Sequence, residues 1–194
     1  LFCQIDALLQ KKERLLVALD GHCAAGKTTL AALLRLVYGG SVVPMDHFFL
    51  RPQQRTPERL AQPGGNVDYE RFLQEALHPL HAGQSFSYRP YLCSQGVLGA
   101  PIHVSSNRIS IVEGSYSLHP ALSDFYDLKV FLSVDPAEQM RRIRVRNGAQ
   151  MCRRFEEEWI PLENRYFHAF SIKKQCQLQF TNGKCSFSDT IIGI

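Results

Sequence analysis

Apolar runs of strand length alternate along the chain with stretches of helical period, and this alternation predicts an open parallel α/β sheet. Residues 14–20 (RLLVALD) read as a strand buried on both faces, because their apolar positions are continuous rather than alternating. Residues 26–38 (GKTTLAALLRLVY) follow with helical spacing and stop at Gly39-Gly40. Residues 41–45 predict a short second strand, 108–112 a third, 128–134 a fourth and 177–181 a fifth. Between the last two, 136–169 predicts a long helical region broken near Asn147-Gly148 and again at Pro161.

The stretch 51–66 carries Pro52, Pro57, Pro63 and Gly64-Gly65 and reads as a long loop. Loops of that length inside a compact domain are usually functional. Residues 68–80 predict a helix with Pro79 near its end, and 85–105 a pair of short strands with turns at Gly96 and Gly99. No internal repeat or low-complexity segment appears. The expectation is one domain over 1–194, with 46–107 inserted over one edge of the sheet; 185–194 carries no signal.

Composition narrows the class. With 45% hydrophobic and 21% charged residues in 194, the chain is neither disordered nor collagen-like. No apolar run approaches the ~20 residues of a membrane span. No signal peptide is visible, although the sequence starts at Leu1. The six cysteines are scattered without a C-x-x-C pair, which argues against zinc and for a reduced, cytoplasmic protein. His78 and His81 read as a solvated helix end. The net charge of +4 is too small to imply nucleic acid, and it suits a protein that handles phosphate anions. A membrane partner is not expected.

One motif changes the picture. Residues 21–28 (GHCAAGKT) satisfy G-x-x-x-x-G-K-S/T between an apolar strand and an amphipathic helix. The glycines permit a tight loop whose N–H groups turn inward, and the helix that follows adds its N-terminal amides and dipole. Lys27 is expected on the β- and γ-phosphates and the Thr28 hydroxyl on Mg²⁺. Gly21, His22, Cys23, Ala24, Ala25, Gly26, Lys27, Thr28 and Thr29 are thus the candidate residues for binding a nucleoside triphosphate.

The strand after the loop's helix must return parallel to the first, so its carboxyl end lies beside the loop. That brings Asp46 near the γ-phosphate, where a carboxylate can take a proton from an attacking hydroxyl or help to hold the metal. Glu113, at the end of the strand over 109–112, reaches the same face and could hold Mg²⁺ or a substrate hydroxyl.

With these residues in place, the chain resembles the uridine kinase and phosphoribulokinase family of P-loop kinases. The resemblance rests on the phosphate loop, Met45-Asp46-His47-Phe48-Phe49, Asn66-Val67-Asp68, Tyr88-Arg89-Pro90-Tyr91, Val112-Glu113-Gly114-Ser115-Tyr116 and the arginine-rich helix at 141–146. It implies a three-layer P-loop kinase fold, a parallel five-stranded sheet with helices on both faces. It also implies ATP- or GTP-dependent phosphorylation of a small-molecule hydroxyl with Mg²⁺, a nucleoside such as uridine or cytidine being the first acceptor to consider. The aspartate matching Asp46 is then the base, and the one matching Asp68 contacts the acceptor's sugar. Phe49, Arg51, Tyr88, Tyr91 and Glu113 fall on the acceptor side. A sugar phosphate, a pantothenate-like acceptor and assembly into a homo-oligomer stay open.

Six arginines lie between 141 and 154. Arg142 and Arg146 share a helical face before Gly148, which suggests a lid over 137–158 whose guanidiniums close on the triphosphate and exclude water. Arg153 and Arg154 read instead as a solvated face paired with Glu156–Glu158. Trp159, Tyr166 and Phe167 read as packing. Two other readings compete: a P-loop regulator without an acceptor, which would leave the acceptor-side motifs unused, and a nucleic-acid module built on the arginines, which the modest charge disfavours.

Overall fold

A computed structural model describes residues 1–187. The chain opens with α1 (Phe2–Lys11), passes through β1 (Leu15–Gly21) and α2 (Lys27–Tyr38), and returns in β2 (Ser41–Pro44). After the 46–107 segment come β3 (Ile109–Glu113), β4 (Leu128–Ser133) and α3 (Pro136–Asn147), then α4 (Ala149–Arg154), α5 (Ile160–Ala169), β5 (Leu178–Thr181) and β6 (Lys184–Phe187). The sheet order is β6-β5-β4-β1-β3-β2. The five parallel strands match the sequence expectation, and β6 adds an antiparallel strand outside β5 that the sequence did not suggest.

Every residue of the central β1 is buried, and its side chains alternate between two cores. Leu15, Val17 and Leu19 pack under α1 and α2 together with Ile109, Ile111, Leu128, Val130 and Leu132. Leu16 and Ala18 face the other way, into a core shared by Phe48, Phe72, Leu118, Phe131 and Tyr166. This period-two division is what makes the architecture three layers deep. α1 was not anticipated. Its signal is the spacing of Leu1, Ile5, Leu8 and Leu9, all of which pack on the first core.

Pro161, expected to break a helix, does not, and Pro79 lies near the end of its helix as expected. Pro79 and Pro161 each lie within two residues of a π-helical stretch, at Leu73–Leu77 and Phe155–Trp159. A proline removes one N–H donor and crowds the carbonyl four residues back. The wider π turn absorbs that defect, so the helical paths run through from 69 to 82 and from 149 to 169. The break at Gly148 is present.

The 51–66 stretch is more ordered than its composition suggests. It holds a 3-10 turn at Pro52–Gln54 and a short helix at Pro57–Ala61 capped by Thr56. The 85–105 region forms two ribbons, Phe86–Tyr88 with Ile102–Val104 and Tyr91–Leu92 with Val97–Leu98. Among the described residues no helix is long and apolar enough to cross a membrane.

Candidate active site

The phosphate loop leaves the sheet where β1 ends. Gly21 has φ +133°, and a Cβ there would fall 2.0 Å from the Leu132 carbonyl oxygen on β4, so only glycine passes this point. Gly26 takes a left-handed conformation as the cap of α2, which leaves the first-turn N–H groups of that helix facing the loop. Lys27 is buried, and its Nζ donates to the carbonyls of Gly21 at 2.6 Å and His22 at 2.8 Å and to Ser115 Oγ at 3.2 Å. The His22 ring packs against Phe131 and Phe167, and burial lowers its basicity. Burial likewise pushes the Cys23 thiol up to about 12, so it is not a nucleophile. Thr28 and Thr29 are exposed at the start of α2.

Three polar residues that the sequence did not single out hold this loop. Asp20 is fully buried and accepts from the amides of Gly21 at 2.7 Å, Tyr116 at 3.2 Å and Leu118 at 2.9 Å and from the Tyr166 hydroxyl at 2.8 Å. Burial raises its carboxyl to about 6 against the pull of those donors and of Lys27. Ser115 donates to Glu163 Oε1 at 2.5 Å, and Glu163 Oε2 accepts the Cys23 amide at 2.9 Å. Asp20 adjoins the phosphate loop and Ser115 lies within the 112–116 motif, although neither carries a role in the sequence reading. Glu163 stands on α5, remote in sequence, and had no such marker.

The carboxylates expected at the strand ends stand at the loop's mouth. Glu113 is the last residue of β3, is buried, and lies 3.1 and 3.2 Å from the Thr28 hydroxyl through its two oxygens. Asp46 sits one turn past β2, in a 3-10 turn over Met45–Phe48. It keeps exposed surface, yet desolvation by the cleft walls raises its carboxyl and Glu163 adds to that, while Lys27, His47 and Arg146 pull it down. Desolvation and the Asp46 charge also raise Glu113. Two carboxyls raised in this way, beside a hydroxyl, form an oxygen-donor set whose charge a cation would relieve. Mg²⁺ takes one or two carboxylates and completes its shell with phosphate and water. Thr28, Asp46 and Glu113 fit that demand. Among the described residues no group of three or more His, Cys, Asp or Glu could hold a metal unaided.

On the acceptor side, Asp68 is buried, caps the helix at Tyr69–Phe72 through the Arg71 amide, and accepts from Gln54 Nε2 at 2.7 Å. Arg51 and Arg71 stand 3.9 and 3.8 Å from the same carboxylate oxygen. The Arg71 guanidinium lies over the Phe48 ring and donates to the His47 carbonyl, while His47 Nδ1 meets the Tyr88 hydroxyl at 2.8 Å. Asp46 is thereby flanked by a turn clamped from both sides. Phe49 bridges to Val67 and packs on the core. Tyr91 is buried in the second ribbon, and no hydrogen bond joins it to Asp46, Asp68 or Glu113 among the described residues. Arg59 binds Gly65, Val67, Tyr69 and both oxygens of Glu70, closing the 51–66 stretch on itself.

From the opposite side, α3 touches the loop. Gln139 donates to the Cys23 carbonyl at 3.0 Å and Arg142 Nη1 to the Ala24 carbonyl at 3.1 Å. Arg146 is exposed, pairs with Asn147 and acts electrostatically on Asp46. Arg153 and Arg154 make ion pairs with Glu157 and Glu158.

No protein-family model and no curated protein sequence matches the chain. Solved structures do. A protein provisionally named a uridine kinase, from Bacillus stearothermophilus, matches with a TM-score of 0.63 over 91% of this chain and 97% of its own, at 19% identity. A provisionally named fructose transport system kinase from a Silicibacter species gives 0.64 over 86% and 93%, at 26% identity. D-glycerate 3-kinase from Cryptococcus neoformans gives 0.55 over 87% and 86%, at 14% identity. With this topology and this loop, the chain has the fold of the P-loop kinases.

Proposed function

We propose that the protein transfers the γ-phosphoryl group of a nucleoside triphosphate, ATP or GTP, to a hydroxyl of a small molecule. The observation that carries this reading is the convergence on one loop mouth of a phosphate-binding lysine, a threonine hydroxyl and two carboxylates from different strand ends. A regulator without an acceptor would leave the acceptor-side residues around Asp68 and Tyr88 unused, and Asp46, whose carboxyl makes no hydrogen bond to the protein among the described residues, would serve the metal alone.

The residues divide the task. The loop amides and Lys27 bind the triphosphate, and Arg142 lies against the loop at Ala24. Asp46 takes the proton from the acceptor hydroxyl as the oxygen attacks. Arg146, on the 137–158 lid, offsets charge on the transferring group and helps to exclude water, which would otherwise take the phosphoryl group. Bound Mg²⁺, held by Thr28 with Glu113 and Asp46, would supply charge neutralisation between the phosphates. Arg51, Asp68, Phe49 and Tyr88 line the acceptor side.

For the acceptor we favour a nucleoside such as uridine or cytidine, on the motif order shared with that kinase group and on the fold match to the Bacillus protein. A sugar-type acceptor is the second reading, supported by the kinase name carried by the 26% identical Silicibacter protein. The test is an ADP-release assay with Mg-ATP and a panel of uridine, cytidine, fructose, ribulose 5-phosphate, glycerate and pantothenate. Stimulation by a pyrimidine nucleoside supports the first reading and stimulation by a sugar the second. Acceptor-independent turnover unaffected by any of them overturns transfer.

A further inference from the structure

Lys27 Nζ meets three acceptors, which uses all three of its N–H donors. Two are carbonyls of the loop itself. The third, Ser115 Oγ, comes from the segment after β3, and how strongly it accepts depends on which partner takes its single proton. Ser115 Oγ lies 2.5 Å from Glu163 Oε1 and 3.1 Å from the Gly21 carbonyl. The shorter, charge-assisted bond takes the proton, so a lone pair is left for Lys27. Glu163 is 6% exposed, and its second oxygen holds the Cys23 amide. The same loop residue is held through its carbonyl by Gln139 of α3.

We infer that Glu163 and Ser115 are positioning residues that hold the Lys27 ammonium on the loop carbonyls and thereby weaken nucleotide affinity. The inference rests on reading the loop as a triphosphate site. A triphosphate must draw Lys27 away from Ser115 while the buried Glu163 charge stands behind it, and it competes with that carboxylate for the Cys23 amide. Removing the Ser115 hydroxyl deletes the lysine's third acceptor, and neutralising Glu163 removes the charge that makes that hydroxyl a strong acceptor. In Glu163→Gln the amide oxygen still accepts from Cys23, but the amide nitrogen donates to Ser115. The serine then donates to Gly21 and shares its lone pairs between that amide and Lys27, so its hold on the lysine weakens, and the carboxylate's repulsion of phosphate is gone. A purely structural role has the opposite sign, because lost hydrogen bonds would loosen the loop and weaken binding.

The test is calorimetric titration of the full chain with a non-hydrolysable ATP analogue and Mg²⁺. Ser115→Ala and Glu163→Gln should each lower Kd by about two- to ten-fold, the range of one net hydrogen bond. The double variant should gain no more than the better single, since both act on the same contact. Ser115→Ala removes only a hydroxyl, so it decides the matter alone if Glu163→Gln does not fold. A folded Ser115→Ala protein with unchanged or weaker binding overturns the inference while the triphosphate reading stands. A wild-type protein that binds no triphosphate overturns both.

Discussion

The Tyr166 hydroxyl donates to Asp20 Oδ2 at 2.8 Å, and both side chains are completely enclosed. The bond ties α5 to the last carboxylate of the central strand. Because Asp20 also holds the amides of Gly21, Tyr116 and Leu118, one buried charge sets the phosphate loop and the segment after β3 relative to each other. Tyr166→Phe removes one of four donors from a buried charge, and chemical denaturation should show a loss of about 1.5–3 kcal/mol.

The Asp20 carboxyl is raised from 3.8 to about 6 by burial. A folded-state value above the unfolded one means stability present below about pH 4 that is lost as pH rises through about 6, roughly 3 kcal/mol in all. Asp20→Asn has no charge to bury, so its unfolding free energy should lack this fall between pH 4 and 6. Parallel slopes for the two proteins would contradict the assignment.

Asp46→Asn keeps the shape of the turn over Met45–Phe48 and removes the proposed proton acceptor together with one proposed metal ligand. Transfer should fall by about 10²–10⁴, the usual contribution of general-base catalysis, while nucleotide Kd measured without Mg²⁺ stays within about two-fold. Steady-state kinetics together with titration checks both halves.

The pH profile should report the cleft's charges. Desolvation raises Asp46 and Arg146 lowers it, and the base works only when deprotonated. The acidic limb of kcat/KM should therefore lie above the ordinary aspartate range of ~3.9. Arg146→Gln should move it to still higher pH, with a smaller difference on the alkaline side.

Thr28→Ala leaves Glu113 without its hydroxyl partner and deletes one oxygen of the proposed Mg²⁺ set. The Mg²⁺ concentration for half-maximal turnover should rise by about ten-fold or more.

Much of this architecture was legible because it depends on patterns that are local in sequence. The phosphate loop announces itself through Gly21, Gly26 and Lys27, and topology alone carries Asp46 and Glu113 to its mouth. Asp20, Ser115 and Glu163 escaped because their roles arise from burial and from contacts with partners 48 to 146 residues away, Lys27 and Tyr166 among them. Pro161 misled for a different reason. The defect a proline introduces is certain, but its relief by a π turn just upstream is a choice of the folded backbone. α1 carries the helical spacing of Leu1, Ile5 and Leu8 as its one signal, with no flanking motif or strong cap to mark it.

Arg59 gives the cleft a mechanical asymmetry. Its one guanidinium fastens the far end of the 51–66 stretch to Gly65 and Val67 and to the helix beginning at Tyr69, with the Tyr69 ring 4.2 Å beneath it. That side is a fixed jaw. The opposite side meets the loop through the side chains of two α3 residues, Gln139 and Arg142, and its outer arginines pair with glutamates three or four residues away in sequence. If the 137–158 segment closes as proposed, the aperture would change from the arginine side, and an acceptor would be brought to a stationary anvil rather than wrapped from both directions.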